Sequence, residues 1–142
     1  MARADGELVL ADTSAWARIR RPELSWLADA AEEGRVAVCD QVAMELLFSA
    51  RDALDFRATE AALLACPWLS IEPRDWGEAR RVFRTLAERG PLHHRQVKIP
   101  DLLIAAVAGR YGIPVVHYDP DFDVIASVTS QPTRWAAPRG SI

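Results

Sequence analysis

The chain has 142 residues and a net charge of −3, and 50% of its residues are apolar while 26% are charged. This length and composition are typical of a globular protein, so we expect one domain over residues 1–142 and exclude a disordered or fibrous chain. No apolar stretch approaches the roughly 20 residues of a membrane-spanning helix, and the N-terminus lacks the apolar core of a signal peptide, which predicts a cytoplasmic protein.

Short apolar runs and turn residues predict strands that alternate with helices. In chain order, the first half is predicted as a strand at 8–11, a helix from 22 to 34, a strand at 35–39, helices at 40–50 and 53–65, and a strand at 68–71. The second half is predicted as a helix from 73 to 90, a basic loop at 92–98, a helix at 101–111, a strand at 114–118, a helix at 122–128 and an edge strand at 133–135. This order predicts an α/β fold in which a parallel sheet is flanked by helices on both faces.

Two aspartates directly follow predicted strands. Asp12 comes after the first strand, and Asp119 comes after the strand at 114–118. In an open parallel sheet, ligands bind in the crevice beyond the carboxyl ends of the strands, so both side chains are candidate ligands. Each also has a purely structural interpretation, since Asp12 can cap the next helix and Asp119 can form a turn with Pro120.

Two further acids lie in strongly apolar helices. Glu45 is the only charge in residues 42–48, which are apolar all round the helical wheel and therefore predict a mostly buried helix. A carboxylate on such a helix must pair, become protonated or coordinate a cation, because an isolated buried charge is very costly. Asp101 opens the apolar run 102–108, although an acid is also favourable at a helix N-terminus for its own sake.

The four acids together indicate a metal site more strongly than any one of them does. Four carboxylates that face one crevice repel one another unless cations neutralise them. Ligands that offer only oxygen favour a hard ion, Mg²⁺ or Mn²⁺, which also binds phosphate oxygens. The pattern therefore predicts metal-dependent phosphoryl chemistry that needs no nucleophile from the protein.

The segments around these acids resemble the PIN domain family, and the chain is similar in length to its VapC-type toxins. The matching segments, in the family's order, are VLADTS at 9–14, MEL at 44–46, IPDLLIAA at 99–106 and HYDPDFD at 117–123. The resemblance implies a PIN fold and endoribonuclease activity that depends on Mg²⁺ or Mn²⁺. It also implies a cognate antitoxin that blocks the site, and commonly a homodimer.

The resemblance also assigns roles to individual residues. The residues that match the family's four core acids, and that are expected to be catalytic and to bind the metal, are Asp12, Glu45, Asp101 and Asp119. Asp121 matches a frequent fifth acid, and Thr13 or Ser14 matches a hydroxyl that supports metal or phosphate. The one departure is a longer N-terminus before the first strand.

A negative net charge is unusual for a protein that binds RNA, but the basic residues are clustered. Lys98 is the only lysine, and it lies with Arg95 in the loop that leads into the Asp101 helix. If Asp101 is a ligand, this loop must pass the crevice, so Arg95 and Lys98 are candidate contacts for RNA phosphates. The alternative is a solvated loop or an antitoxin contact.

Three other functions are compatible with parts of this pattern. A non-catalytic PIN domain would bind RNA without cutting it, and a nuclease could instead act on DNA. A phosphoacceptor receiver domain also gathers acids at strand ends, but it requires a lysine on a late strand, and Lys98 is not on one.

Overall fold

The structure is a computed structural model that describes residues 6–142, and it contains a five-stranded parallel sheet flanked by helices. The strands are β1 (Val9–Ala11), β2 (Val36–Cys39), β3 (Trp68–Leu69), β4 (Val115–His117) and β5 (Thr133–Trp135). The helices are α1 (Thr13–Trp16), α2 (Ser25–Glu32), α3 (Asp40–Phe48), α4 (Ala53–Leu64), α5 (Pro73–Glu88), α6 (Ile99–Tyr111) and α7 (Asp121–Thr129). Short 3-10 helices lie at Pro22–Leu24 and His93–Gln96. The expectation about the N-terminus falls partly on residues 1–5, which lie outside the described residues.

The sheet has the strand order β3-β2-β1-β4-β5, and every neighbouring pair is parallel. Because successive side chains on a strand point to opposite faces, each central strand contributes to two cores. Leu10, Ala37 and Val115 pack against α5, α6 and α7, whereas Val9 and Val116 pack against α1 and α2. The predicted α/β fold with helices on both faces is therefore confirmed.

Helix α6 packs along the sheet and carries the apolar run that the sequence shows after Asp101. All of residues 101–108 are buried, because the helix packs between the sheet and α5 and is apolar all round. Gly112 takes a left-handed conformation with φ of 68°, and the Ile113 amide donates to the Ala108 carbonyl. This ending positions the chain to enter β4 directly.

One local expectation in the first half of the chain is wrong. Helix α3 is not mostly buried, since Met44 is 67% and Phe48 90% exposed. An all-apolar helical pattern does not show which neighbours the fold supplies, and here only one side of the helix meets the core. Asp40, the first residue of α3, joins this helix to the segment around β3, because its carboxylate accepts hydrogen bonds from Trp68 Nε1 at 3.0 Å and from the Ile71 amide at 2.6 Å.

None of the helices within residues 6–142 is long and apolar enough to cross a membrane.

Candidate metal centre

Three carboxylates converge beyond the carboxyl end of β4. Asp101 lies in the first turn of α6, Asp119 follows β4, and Asp121 begins α7. One oxygen from each lies within 4.8 Å of the others. The Asp121 amide donates to Asp119 Oδ1 at 2.9 Å, which fixes the turn between these two acids. An all-oxygen set of this size matches the donors that Mg²⁺ and Mn²⁺ prefer.

Asp101 is the most buried member of this group. It is 4% exposed, and its Oδ2 atom has no hydrogen-bond partner among residues 6–142. Burial, followed by the negative charge of Asp12, raises the pKa of Asp101 to about 8. A buried carboxylate oxygen without a partner is costly, so this atom is chemically suited to a cation.

Asp12 lies at the carboxyl end of β1, the strand next to β4. Its side chain caps α1 by accepting hydrogen bonds from the Ser14 amide at 3.0 Å and the Ser14 hydroxyl at 2.5 Å. The Ser14 hydroxyl in turn accepts from the Tyr118 amide at 2.9 Å, so one serine links the ends of β1 and β4. Burial, together with a smaller effect of the charge on Glu45, raises the pKa of Asp12.

Glu45 is half-buried on α3 and is held by the residue that follows Asp12. The Thr13 hydroxyl donates to Glu45 Oε1 at 2.6 Å. Asp12 and Glu45 are not members of the tight three-carboxylate group, but each is electrostatically coupled to a neighbouring acid. One hydroxyl, of Thr13 or Ser14, was expected to support metal or phosphate, and in the structure both hydroxyls position the carboxylates of Asp12 and Glu45.

Lys98 contacts all three carboxylates of the tight group. Its Nζ atom lies 2.7 Å from Asp119 Oδ2, 2.8 Å from Asp121 Oδ2 and 3.4 Å from Asp101 Oδ2. Partial burial lowers the pKa of Lys98, but the bonds to Asp119 and Asp121 outweigh it and raise the pKa above its usual range. The sequence predicted an RNA phosphate contact for Lys98, but its position three residues before Asp101 also allows this contact with the carboxylates.

His117 is a supporting residue that the sequence did not single out. It is fully buried between the rings of Phe122 and Trp135, with centroid distances of 5.0 and 4.9 Å. Its Nδ1 atom accepts a hydrogen bond from the Asp119 amide at 3.2 Å. Burial lowers the pKa of His117, so the ring is neutral and holds the backbone of the turn that carries Asp119.

Two observations bear on the receiver-domain alternative, the position of Lys98 and the order of the strands. The lysine reaches the acids, but, as the sequence predicted, it does not come from a late strand and lies in the segment before α6. The observed order β3-β2-β1-β4-β5 also differs from the order 2-1-3-4-5 of the flavodoxin-like fold that receiver domains share. The fold therefore argues against a receiver domain.

The model of the PIN domain family matches residues 9–128, and the chain therefore belongs to the PIN domain family. Relatives in Mycobacterium tuberculosis include Ribonuclease VapC18, which is 42% identical over 92% of this chain and 96% of its own length. Ribonuclease VapC51 of the same organism is 39% identical over 94% of this chain and 96% of its own length. The resemblance stated from the sequence is confirmed.

Two solved structures have a similar fold. A member of the VapBC family of toxin-antitoxin systems, VapBC-5 from Mycobacterium tuberculosis, has a chain that is 27% identical, with a TM-score of 0.63 over 90% of this chain and 98% of that chain. A chain of the DNA-bound VapBC from Salmonella typhimurium has a TM-score of 0.69 over 92% of this chain and 99% of that chain, but at 18% identity it supports the fold alone.

Proposed function

We propose that this protein is an endoribonuclease that depends on Mg²⁺ or Mn²⁺ and acts as the toxin of a toxin–antitoxin pair. The observation that carries the proposal is the convergence of Asp101, Asp119 and Asp121 within 4.8 Å at the crevice of the sheet. The two relatives named as VapC ribonucleases align with nearly the whole chain, which supports RNA as the substrate.

The donor set fits a divalent cation. Asp101, Asp119 and Asp121 would hold it, and Asp101 Oδ2, which accepts no hydrogen bond from the described residues, is available as a ligand atom. Asp12 and Glu45 would complete the acidic crevice on the side of β1 and α3. When bound, such an ion lowers the pKa of a water molecule and offsets the charge that develops on the phosphate.

The protein's own residues supply position rather than a nucleophile. Ser14 and Thr13 orient Asp12 and Glu45 through their hydroxyls, and His117 holds the backbone of Asp119. These contacts fix the carboxylates before RNA arrives, so the site need not reorganise during the reaction. Arg95 is exposed in the segment just before α6, where it can contact a phosphate beside the cleaved bond.

An RNA cleavage assay with and without divalent ions tests this function. We expect RNA to be cut with Mg²⁺ or Mn²⁺ and to remain intact in excess EDTA, because the carboxylates alone give neither a nucleophile nor positive charge. Asp119→Asn serves as the inactive control, and single-stranded DNA of the same sequence serves as the substrate control. Binding of RNA without cleavage would instead support the non-catalytic alternative, and preferential cleavage of DNA would contradict the proposed substrate.

The proposed partner is a cognate antitoxin that covers the outer side of α3 and α4. Large apolar side chains are exposed there, namely Met44, Phe48, Leu54, Phe56 and Leu64. An apolar area of this kind marks an interaction surface on a globular protein. The antitoxin should also bring a basic residue, arginine above all, to the acidic crevice. Whether the free toxin is a homodimer stays a prediction of the family resemblance.

A further inference from the structure

We propose that Lys98 is a built-in counter-ion of the metal site, which offsets part of the charge of the three carboxylates when no divalent ion is bound and competes with that ion for them. The inference rests on the proposed function, because it assumes that Asp101, Asp119 and Asp121 are metal ligands. It goes beyond that function by assigning Lys98 control over how readily the site takes up metal.

The geometry makes the lysine and a metal ion mutually exclusive. The ammonium nitrogen lies 2.7 Å from Asp119 Oδ2 and 2.8 Å from Asp121 Oδ2, and it faces the buried Asp101 Oδ2 at 3.4 Å. A Mg²⁺ ion binds carboxylate oxygens at about 2.1 Å, so an ion that used these oxygens would overlap the ammonium group. The lysine must therefore move before an ion can bind through these oxygens.

The side chain of Lys98 can leave the three carboxylates while its backbone stays in place. The backbone amide of Lys98 donates to Asp121 Oδ2 at 3.0 Å, and the residue directly precedes α6. Its side chain is 61% exposed, in contrast to the buried Asp101. The four-carbon stem can swing into solvent without unpacking the core, and the backbone bond continues to fix Asp121.

The energetic consequence has two parts. Without a cation, three clustered carboxylates, one of them buried, repel one another and destabilise the fold. The lysine removes part of this repulsion within the chain, but the metal then binds only to the fraction of molecules in which the lysine has withdrawn. The apparent dissociation constant rises in inverse proportion to that fraction.

Metal binding by variants of the full chain tests this competition. We expect Lys98→Gln to bind Mn²⁺ at least about threefold more tightly than the unmodified protein, measured by titration calorimetry without RNA. In EDTA the same variant should have a lower melting temperature, because the carboxylates lose their counter-ion. Arg57→Gln is the matched control, since it removes one positive charge from an exposed position on α4 and should change neither value.

A second measurement follows the lysine directly. Lys98 is the only lysine in the chain, so protein labelled with lysine that carries ¹³C at Cε gives one labelled signal by NMR. We expect Mg²⁺ to shift the Cε resonance toward the value of a free, solvated lysine, in step with the heat of binding. An unmoved resonance while Mg²⁺ binds would overturn the inference.

The outcomes separate this inference from the proposed function. Equal or weaker Mn²⁺ affinity in Lys98→Gln, with clear binding in both proteins, overturns the competition and leaves the metal-dependent nuclease intact. No binding of Mn²⁺ or Mg²⁺ to either protein overturns the metal requirement and the inference together. Tighter binding, lower stability in EDTA and a metal-dependent lysine signal support both.

Discussion

The acids of the candidate site differ in how well their charges are satisfied. Asp12 accepts two hydrogen bonds from Ser14, whereas the Oδ2 atom of Asp101 has no such partner among the described residues. Lys98 faces Asp101 Oδ2 only at 3.4 Å. Asp101 is therefore the acid whose ionisation should cost the free protein most.

We expect Asp101→Asn to abolish RNA cleavage and to stabilise the fold in EDTA. Folding raises the pKa of Asp101 from 3.8 to about 8, so between these pH values the folded state binds more protons than the unfolded state. The stability that Asp101 contributes therefore falls as pH rises through this window, while asparagine does not titrate. One pKa unit corresponds to about 1.4 kcal/mol, so the variant should gain at least about 2 kcal/mol by pH 8.

Urea unfolding of both proteins between pH 5 and about 8 measures this difference. The stability advantage of the variant should grow steadily with pH. An advantage that is constant with pH would mean that the charge of Asp101 is not what the substitution relieves. Cleavage at the normal rate would remove Asp101 from the catalytic group.

At the scale of elements, a cluster of charged side chains joins the start of α5 to the C-terminal end of α6. This is the end of α6 opposite to Asp101. Arg110 donates to both Asp75 oxygens at 2.9 Å, to Glu72 at 3.2 Å and to the Ser70 carbonyl at 2.8 Å. Asp75 is 2% exposed, and its carboxylate also accepts a hydrogen bond from the Glu72 amide at 2.8 Å, at the start of α5. This contact holds α6 at one end while its first turn presents Asp101.

We expect Asp75→Ala to lower the free energy of unfolding by about 3 kcal/mol, because it leaves the Arg110 guanidinium with too few partners in a mostly buried place. Glu78→Ala is the control on the same helix, since the pair between Glu78 and Arg81 is exposed and should contribute less than about 1 kcal/mol. Urea unfolding at pH 7 compares the two. An equal loss of unfolding free energy in the two variants would show that burial does not strengthen the contact between Asp75 and Arg110.

The segment between α5 and α6 is the element that we expect to contact RNA. Arg95→Ala should weaken RNA binding and lower the slope of log affinity against log salt by about 0.7, the value for one phosphate contact on a single strand. Lys98 is left unchanged here because it is bound to carboxylates. Filter binding with Ca²⁺ in place of Mg²⁺ measures the slope, and Arg57→Ala is the control. An unchanged slope would place the RNA contact elsewhere, with the arginines at 18–21 or 80–84 as candidates.

For the whole molecule, the strand order decides where the acids meet. Since β1 and β4 are neighbours, the residues that follow them, Asp12 and Asp119, lie at the same end of the sheet. Helices α6 and α7 add Asp101 and Asp121, and α3 adds Glu45 from the opposite side of β1. The apolar side chains of α3 and α4 remain exposed, which is the arrangement expected of a protein that acts with a partner.

We expect Phe48→Asp to weaken binding of the cognate antitoxin at least about tenfold and to leave the stability of the free toxin almost unchanged, because this side chain is 90% exposed. Trp76→Asp, at an exposed aromatic residue on α5, is the control for a general effect of charge. Surface plasmon resonance with the antitoxin measures both. Equal affinity for the Phe48 variant would exclude the outer side of α3 from the complex.

The sequence by itself determined the alternation of strands and helices and hence the α/β fold, because apolar periodicity and turn residues are local signals. The PIN family was predicted correctly from the resemblance of four segments, and Asp101, Asp119 and Asp121 do converge, while the metal-binding role of the acids stays a prediction. The tertiary structure alone decided that Lys98 reaches Asp119 across 21 residues, that Ser14 joins two strand ends, and that Phe48 is exposed. These contacts depend on which strands are neighbours and which helix faces are covered, and no short sequence pattern carries that information.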